Sequence, residues 1–233
     1  MKFTPSSIVS QASGSMGGIT AARNRYGMYL RNRVIPVNQK TLRQLAVREA
    51  MSQLAAAWAD TLTSAQRAAW QLYGENVGMP DAFGAIQHLP GKEMYVRSNI
   101  PRLQAALTAV DDGPALFSLP PAPAGVTVTG TQNDQKLSIA FDNTEAWAGE
   151  VGAALLILCG RPQNTTRNFY GGPWRYAGKI AGATPDPPES PQLLDAPFPF
   201  VDGQLLFCQF RVSRADGRLS TPFQSSGLAT AGA

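Results

Sequence analysis

From Thr41 the chain places apolar residues at helical spacing. Val47, Met51, Leu54, Ala55 and Trp58 share one face of the stretch TLRQLAVREAMSQLAAAWADTL, and Arg43, Gln44, Arg48, Ser52 and Gln53 lie opposite, which predicts an amphipathic helix. A second helix is predicted from Thr63. There the Thr63-Ser-Ala-Gln66 pattern allows the threonine hydroxyl and the glutamine side chain to cap reciprocally. Its inward face is Ala69, Leu72 and either Trp70 or Tyr73, and the short Ala59–Leu62 joint predicts an antiparallel helical hairpin with Trp58 and Trp70 near the bend. Residues 78–90 read as irregular. GKEMYVRSNIPRLQAALTAV reads as a third helix, kinked at Pro101 or restarting there.

After Gly125 the period changes from helical to alternating. VTVTGT, a QNDQ turn and KLSIAFD, with Leu137, Ile139 and Phe141 on one side, predict a strand pair. AALLILCG reads as a buried strand and PWRYAGKIAG as another. In QLLFCQFRVSRADGRLSTPF, Leu206, Cys208, Phe210 and Val212 alternate before an Asp216-Gly217 turn, and RLSTPF returns as the second arm of a hairpin. Pro114, Pro120, Pro121 and Pro123 make the preceding stretch an extended linker. The expected fold class is therefore α+β: an extended N-terminal arm with a small helical module, followed by an antiparallel β-sandwich. The boundaries read as arm 1–40, helical module 41–110, Pro-rich linker 111–124 and sandwich 125–233.

The arm itself shows no sustained period. It is punctuated by Gly14, Gly17, Gly18 and Gly27, and Pro36 holds Ile35 extended. Within it, GMYLRNRVIPV alternates in part and would suit a strand added to a partner's sheet edge. Charge makes the arm more informative. The first 48 residues hold eight Lys or Arg (Lys2, Arg23, Arg25, Arg31, Arg33, Lys40, Arg43 and Arg48) and no Asp or Glu. The net +4 of the chain thus divides into +7 for residues 1–110 and −3 for residues 111–233. Such a basic half suits nucleic acid, an acidic protein surface or the acidic half of another copy. Apolar residues mixed into the arm (Ile19, Met28, Leu30, Val34 and Ile35) favour protein over a polyelectrolyte partner, because a tail that only neutralises phosphate has no use for them. The arm residues expected to carry docking are Arg23, Arg25, Tyr26, Tyr29, Leu30, Arg31 and Arg33. Val47, Met51, Leu54, Trp58 and Trp70 are expected to pack the helical module.

Two resemblances sharpen this. The lead-in PPAPAGVTV, the strand KLSIAFD and the closing FRVSRADGRLSTPFQSS make residues 119–231 resemble a fibronectin type III or immunoglobulin-like domain. The aromatic stretch NFYGGPWRYAG and the proline-rich DPPESPQLLDAPFPF depart from that pattern, and such a fold by itself implies no activity. Over about residues 13–100, GSMGGITAARNRYGMYLRNRVIPVNQKTLRQLAVREAMSQLAAAW, LTSAQRAAW and GKEMYVRSN are similar to a group of phage and prophage virion structural proteins. That resemblance implies a capsid cement or decoration protein, or a neck or tail component. It would be made in the host cytoplasm, carried in the virion, and partnered by other virion proteins and copies of itself.

Chemistry is not legible. Gly14-Ser-Met-Gly-Gly18 lacks the Lys-Ser/Thr ending of a phosphate loop. No Gly-x-Ser-x-Gly elbow surrounds a serine, and the single histidine, His88, sits in a Gly/Pro-rich connector. Cys159 and Cys208 read as buried thiols rather than a disulfide framework. No His/Cys cluster has metal-ligand spacing, and Asp111-Asp112 reads as a solvated linker pair. The expectation is a non-enzyme with no cofactor and no metal. No apolar run approaches the ~18 residues of a membrane span, and MKFTPSSIVSQ lacks the apolar centre of a secretory leader. Phe169, Tyr170, Trp174 and Tyr176 could present a surface aromatic platform for a sugar, or cover the sheet as packed side chains. A DNA-binding or packaging-associated protein and a carbohydrate-binding adhesion module remain the rival readings.

Overall fold

The computed structural model describes residues 12–24, 27–35, 37–80 and 84–232. The chain divides into two compact units, Met1–Leu42 and Arg43–Ala233. The sequence boundaries at 111 and 124 fall inside the second unit, so the helices and the large sheet share one body.

In the first unit the arm is a three-stranded antiparallel meander rather than an irregular strap. Its strands are β1 (Gly14–Met16), β2 (Ile19–Asn24) and β3 (Gly27–Asn32), in the order β1-β2-β3. The reason is turn chemistry that the broken alternation hides. Gly17 has a φ of +58° between β1 and β2, a left-handed conformation that glycine enters without steric cost. The predicted strand on GMYLRNRVIPV exists, but it pairs within its own chain.

The second unit opens with α1 (Leu42–Ala56), which runs on into a π-helical turn at Ala57–Thr61. Thr63 then caps α2 (Ser64–Asn76). Its hydroxyl accepts from Gln66 N at 3.2 Å, and its own amide donates to Gln66 Oε1 at 2.9 Å, the reciprocal pair read from the sequence. The stretch 78–90 contains a small hairpin, β4 (Gly78–Pro80) with β5 (Ile86–His88), where an irregular connector was expected. The third helix, α3 (Gly91–Gln104), passes through Pro101 without restarting. Proline at 101 cannot donate to the Arg97 carbonyl, so the helix gives up one bond near its end.

The helical packing differs from the predicted hairpin. α2 packs on α3, and α1 adds only its C-terminal end. Leu54, Leu62, Trp70, Tyr73, Val77, Met94 and Tyr95 form one buried cluster, with Trp58 half-buried at its edge. Tyr95 stands between the two tryptophans, with ring centroids 5.8 Å from Trp58 and 5.6 Å from Trp70. Close approach of the helices requires Gly91, because a Cβ there would lie 2.6 Å from the Gln71 amide nitrogen. The expected linker is an ordered seam on this layer. Asp111 takes the Trp70 indole N–H on its carbonyl (2.9 Å) and the Tyr95 hydroxyl on its carboxylate (3.1 Å), and Asp112 accepts from Gln66 (2.9 Å).

The remaining strands are β6 (Thr127–Thr131), β7 (Lys136–Ala140), β8 (Ala154–Cys159), β9 (Arg175–Ala181), β10 (Gln192–Asp195), β11 (Leu205–Ser213) and β12 (Phe223–Thr230). They make one seven-stranded sheet, ordered β10-β7-β6-β12-β11-β8-β9. It nearly closes, with β9 beside β10 and Gly178 against the Leu194 side chain. The sheet is not wholly antiparallel: β12 runs parallel to β6 through Ala229↔Gly130 and Thr230↔Thr131. Inner-face residues Val128, Leu137, Ile139, Leu155, Ile157, Leu206, Phe210 and Val212 fill one core, as their alternation predicts.

The hairpin after β11 also departs from expectation. The Asp216-Gly217 turn forms, but RLST does not return as a strand; β12 begins only at Phe223. Residues 218–220 still fold back beside β11, with Arg214 N donating to Arg218 O and Ser220 N to Val212 O, both at 2.9 Å, and they also meet α3. Arg97 donates to the carbonyls of Leu219 (3.1 Å) and Ser220 (3.2 Å). Arg102, 2 % exposed, donates to Thr108 O (2.9 Å), Ser213 Oγ (3.0 Å) and Arg214 O (2.8 Å). Gly217 has a φ of +88°, and the Trp70 ring lies 3.2 Å from where its Cβ would be. Arg102→Met should therefore cost about 3 kcal/mol of unfolding free energy in urea, since three oxygens lose their donor. Arg167→Met, on an exposed loop position, should stay within about 0.5 kcal/mol.

Candidate assembly surface

The β2–β3 register sorts the arm side chains onto two faces. Thr20 pairs with Arg31 and Ala22 with Tyr29 on one face; Ala21 pairs with Leu30 and Arg23 with Met28 on the other. Arg23, Arg31 and Arg33 are exposed, Tyr29 and Leu30 are half-buried, and Met28 is buried. The meander thus shows positive charge on both faces instead of one basic stripe. Arg25 and Tyr26 lie outside the described residues.

Between β3 and α1 the described residues form no helix or strand, and several are exposed aliphatics. Val34 is 80 % exposed, Ile35 77 %, Val37 87 % and Leu42 87 %. Met16 and Ile19 in the meander and Leu45 and Met51 on α1 are exposed as well. Scattered exposed aliphatics are ordinary on a protein surface; here several fall within one stretch of chain. Arg31, Arg33 and Lys40 alternate with the exposed aliphatics of the first unit along the chain.

The five residues expected to pack the helical module separate into three environments. Leu54 and Trp70 are buried together with Trp58 at their margin. Val47 lines a shallow groove with Arg43, Ala46, Gln104 and Tyr176. Met51 points to solvent. The apolar stripe of α1 is therefore only partly used by its own unit.

The four aromatics near β9 do not share one surface. Phe169 is 70 % exposed, whereas Tyr170 is buried. The Tyr170 ring stacks on Phe207 at 5.8 Å, meets Trp174 edge-on at 5.0 Å, and lies where a side chain on Gly160 would have to go. Its hydroxyl accepts from Arg161 N and donates to Pro173 O, both at 3.1 Å. Tyr176 packs with Ala105, Ala154, Leu156 and Leu219 under the end of α3. Beside them, Phe198 carries the Arg175 guanidinium 4.4 Å from its ring centre, a contact that the sequence offers no signal for.

His88 is exposed on β5, while Cys159 and Cys208 are buried on the inner face of the sheet. Burial pushes the Tyr73 hydroxyl up to about 12 and, with Arg97 nearby, brings Arg211 down to about 10. These groups sit at the joint between α3 and the sheet.

No protein-family model matches the chain, and no curated protein matches it significantly. Among solved structures it is similar to a Fn3-like protein from Clostridium thermocellum, at 11 % identity over 48 % of this chain and 94 % of that chain, with a TM-score of 0.31. That is a distant and weak structural neighbour.

The contrast between the aromatics is measurable. Phe169→Ala should change unfolding free energy by less than about 0.5 kcal/mol. Tyr170→Ala should lower it by about 3 kcal/mol, since it empties a packed ring site and strands two polar backbone groups. Urea melts of both variants test the assignment.

Proposed function

We propose that this chain is a non-enzymatic structural protein of a phage particle, docking on neighbouring subunits through its N-terminal unit. The observation that carries the proposal is the bare aliphatic run Val34, Ile35, Val37 and Leu42 set among Arg31, Arg33 and Lys40. An exposed apolar strip with flanking guanidinium groups suits a protein surface that offers apolar grooves and carboxylates or carbonyls. The resemblance of residues 13–100 to virion proteins supplies the setting. In a particle with many copies, weak contacts of this kind add through multivalency. Capsid cement or decoration and a neck or tail position fit equally.

The fold reading that accompanies this is a fibronectin III/immunoglobulin-like sandwich over residues 125–233. Its support is the strand order, in which β10-β7-β6 and β12-β11-β8-β9 would be two layers joined at the short parallel pairing. Such a domain spaces and presents; it needs no active site.

The rival is nucleic-acid binding by the basic arm. It is favoured by the absence of any acidic residue before Glu49, and disfavoured by the exposed aliphatics, which phosphate cannot use.

Removal of residues 1–42 should leave Arg43–Ala233 folded and soluble, losing only the strand signal of the meander and keeping a cooperative urea transition, yet unable to join particles in an incorporation assay. Undiminished incorporation would sink the docking proposal. Duplex affinity of the full chain should be weak at physiological salt; tight binding that collapses between about 50 and 200 mM salt would favour the rival.

A further inference from the structure

Cys159 and Cys208 lie far apart in the chain but face each other on adjacent strands of the large sheet. Cys208 of β11 is directly paired with Cys159 of β8. The type of site follows from the neighbouring hydrogen bond: Gly160 N donates to Phe207 O at 2.9 Å. These are the residues one after Cys159 and one before Cys208, so the cysteines occupy a non-hydrogen-bonded pair. In such a pair the Cα atoms are about 4.5 Å apart and the side chains approach most closely. Disulfides span Cα separations of about 4.4–6.8 Å, so the bond needs no strand movement. Both side chains are buried, and both point into the core with Ile157, Leu206 and Phe210.

We propose that Cys159 and Cys208 are an oxidative modification site, a cross-strand thiol pair that closes to a disulfide when the folded protein meets a small peroxide. Burial selects the reagent. A bulky disulfide cannot reach either sulfur, whereas hydrogen peroxide is close to water in size. Cys159 as thiolate attacks one peroxide oxygen, releasing hydroxide and becoming a sulfenic acid. Cys208 then attacks the Cys159 sulfur and expels the second oxygen as hydroxide. The two thiol protons end in the two waters, so two thiols and one hydrogen peroxide give one disulfide and two waters. The order of attack has a physical basis. The Cys208 thiol's hydrogen bond holds Cys159 below the usual thiol range, while the same contact, with burial, pushes Cys208 well above it. A resolving thiol held in contact also intercepts the sulfenic acid before further oxidation. The product ties β8 to β11 through a loop of nearly fifty residues, removing freedom from the unfolded chain.

The test uses the full chain with hydrogen peroxide under native conditions. The reaction is quenched with catalase, and the protein is then denatured and alkylated for intact mass and peptide mapping. The expected product is lighter by two hydrogens, takes up no alkyl group, and yields a peptide joining Cys159 to Cys208. Its melting temperature should rise by about 5 °C or more and return on treatment with a phosphine reductant. Cys208→Ser should instead accumulate oxygen on Cys159 with no rise in melting temperature. Wild-type protein that keeps both thiols, or gains oxygen on each without a cross-link, overturns the proposal; this mass readout stands even if the serine variant fails to fold.

Discussion

The second unit depends on one buried cation. Arg102 lies at the end of α3 with its guanidinium enclosed and its donors spent on a hydroxyl and two backbone carbonyls. Desolvation pulls this arginine below its usual range, opposed by the nearby Asp216 and Glu150 carboxylates. A buried charge is tolerable only where its hydrogen bonds are made. The position of α3 on the sheet is therefore fixed to within hydrogen-bond length. Arg97 satisfies two more carbonyls, those of Leu219 and Ser220, on the segment that folds back beside β11.

That docking explains the composition of β8. A strand with one wet face alternates, but ALLILC does not, and five of its six residues are buried. The inward residues Leu155, Ile157 and Cys159 meet the sheet core, while Ala154 and Leu156 pack with Ala105, Leu219 and Tyr176 beneath the end of α3. A continuous apolar run is what a strand covered on both faces requires. The turn at Asp216-Gly217 closes the arrangement from the other side, because its glycine lies against the Trp70 ring. Helical layer and sheet share a core boundary, and no flexible joint separates them.

What was legible in the sequence was local. The Thr63–Gln66 cap and the alternation in β7 and β11 are set by neighbours within a few residues, and the structure has them. What was not legible depends on distant partners. Nothing near Asp111 tells that its carboxylate will meet Tyr95, so a docked seam reads as a linker. Nothing near Arg97 or Arg102 tells that a polar helix face will be buried. β10 was masked by the prolines around it, which suit an edge strand as well as a loop. The arm meander was missed because β1 has only three residues and its turn rests on a single glycine conformation. The pairing of Cys159 with Cys208 depends on the register of two strands nearly fifty residues apart, which composition cannot supply.

The same reasoning separates the arginines by use, and this bears on the proposed docking. In the second unit, Arg67, Arg97, Arg102, Arg214 and Arg218 each satisfy carbonyls or carboxylates of their own unit. Their charge is internal and unavailable to a partner. Arg23, Arg31 and Arg33 have no ion-pair partner among the described residues and stand exposed beside uncovered aliphatic side chains. Net charge treats both groups alike; solvent exposure and satisfied hydrogen bonds do not. A guanidinium that is already saturated adds little to association, whereas an unsatisfied one next to apolar surface can gain both contacts at once when a partner excludes the water. In the first unit the basic excess is held in part on short strands that present it on two faces.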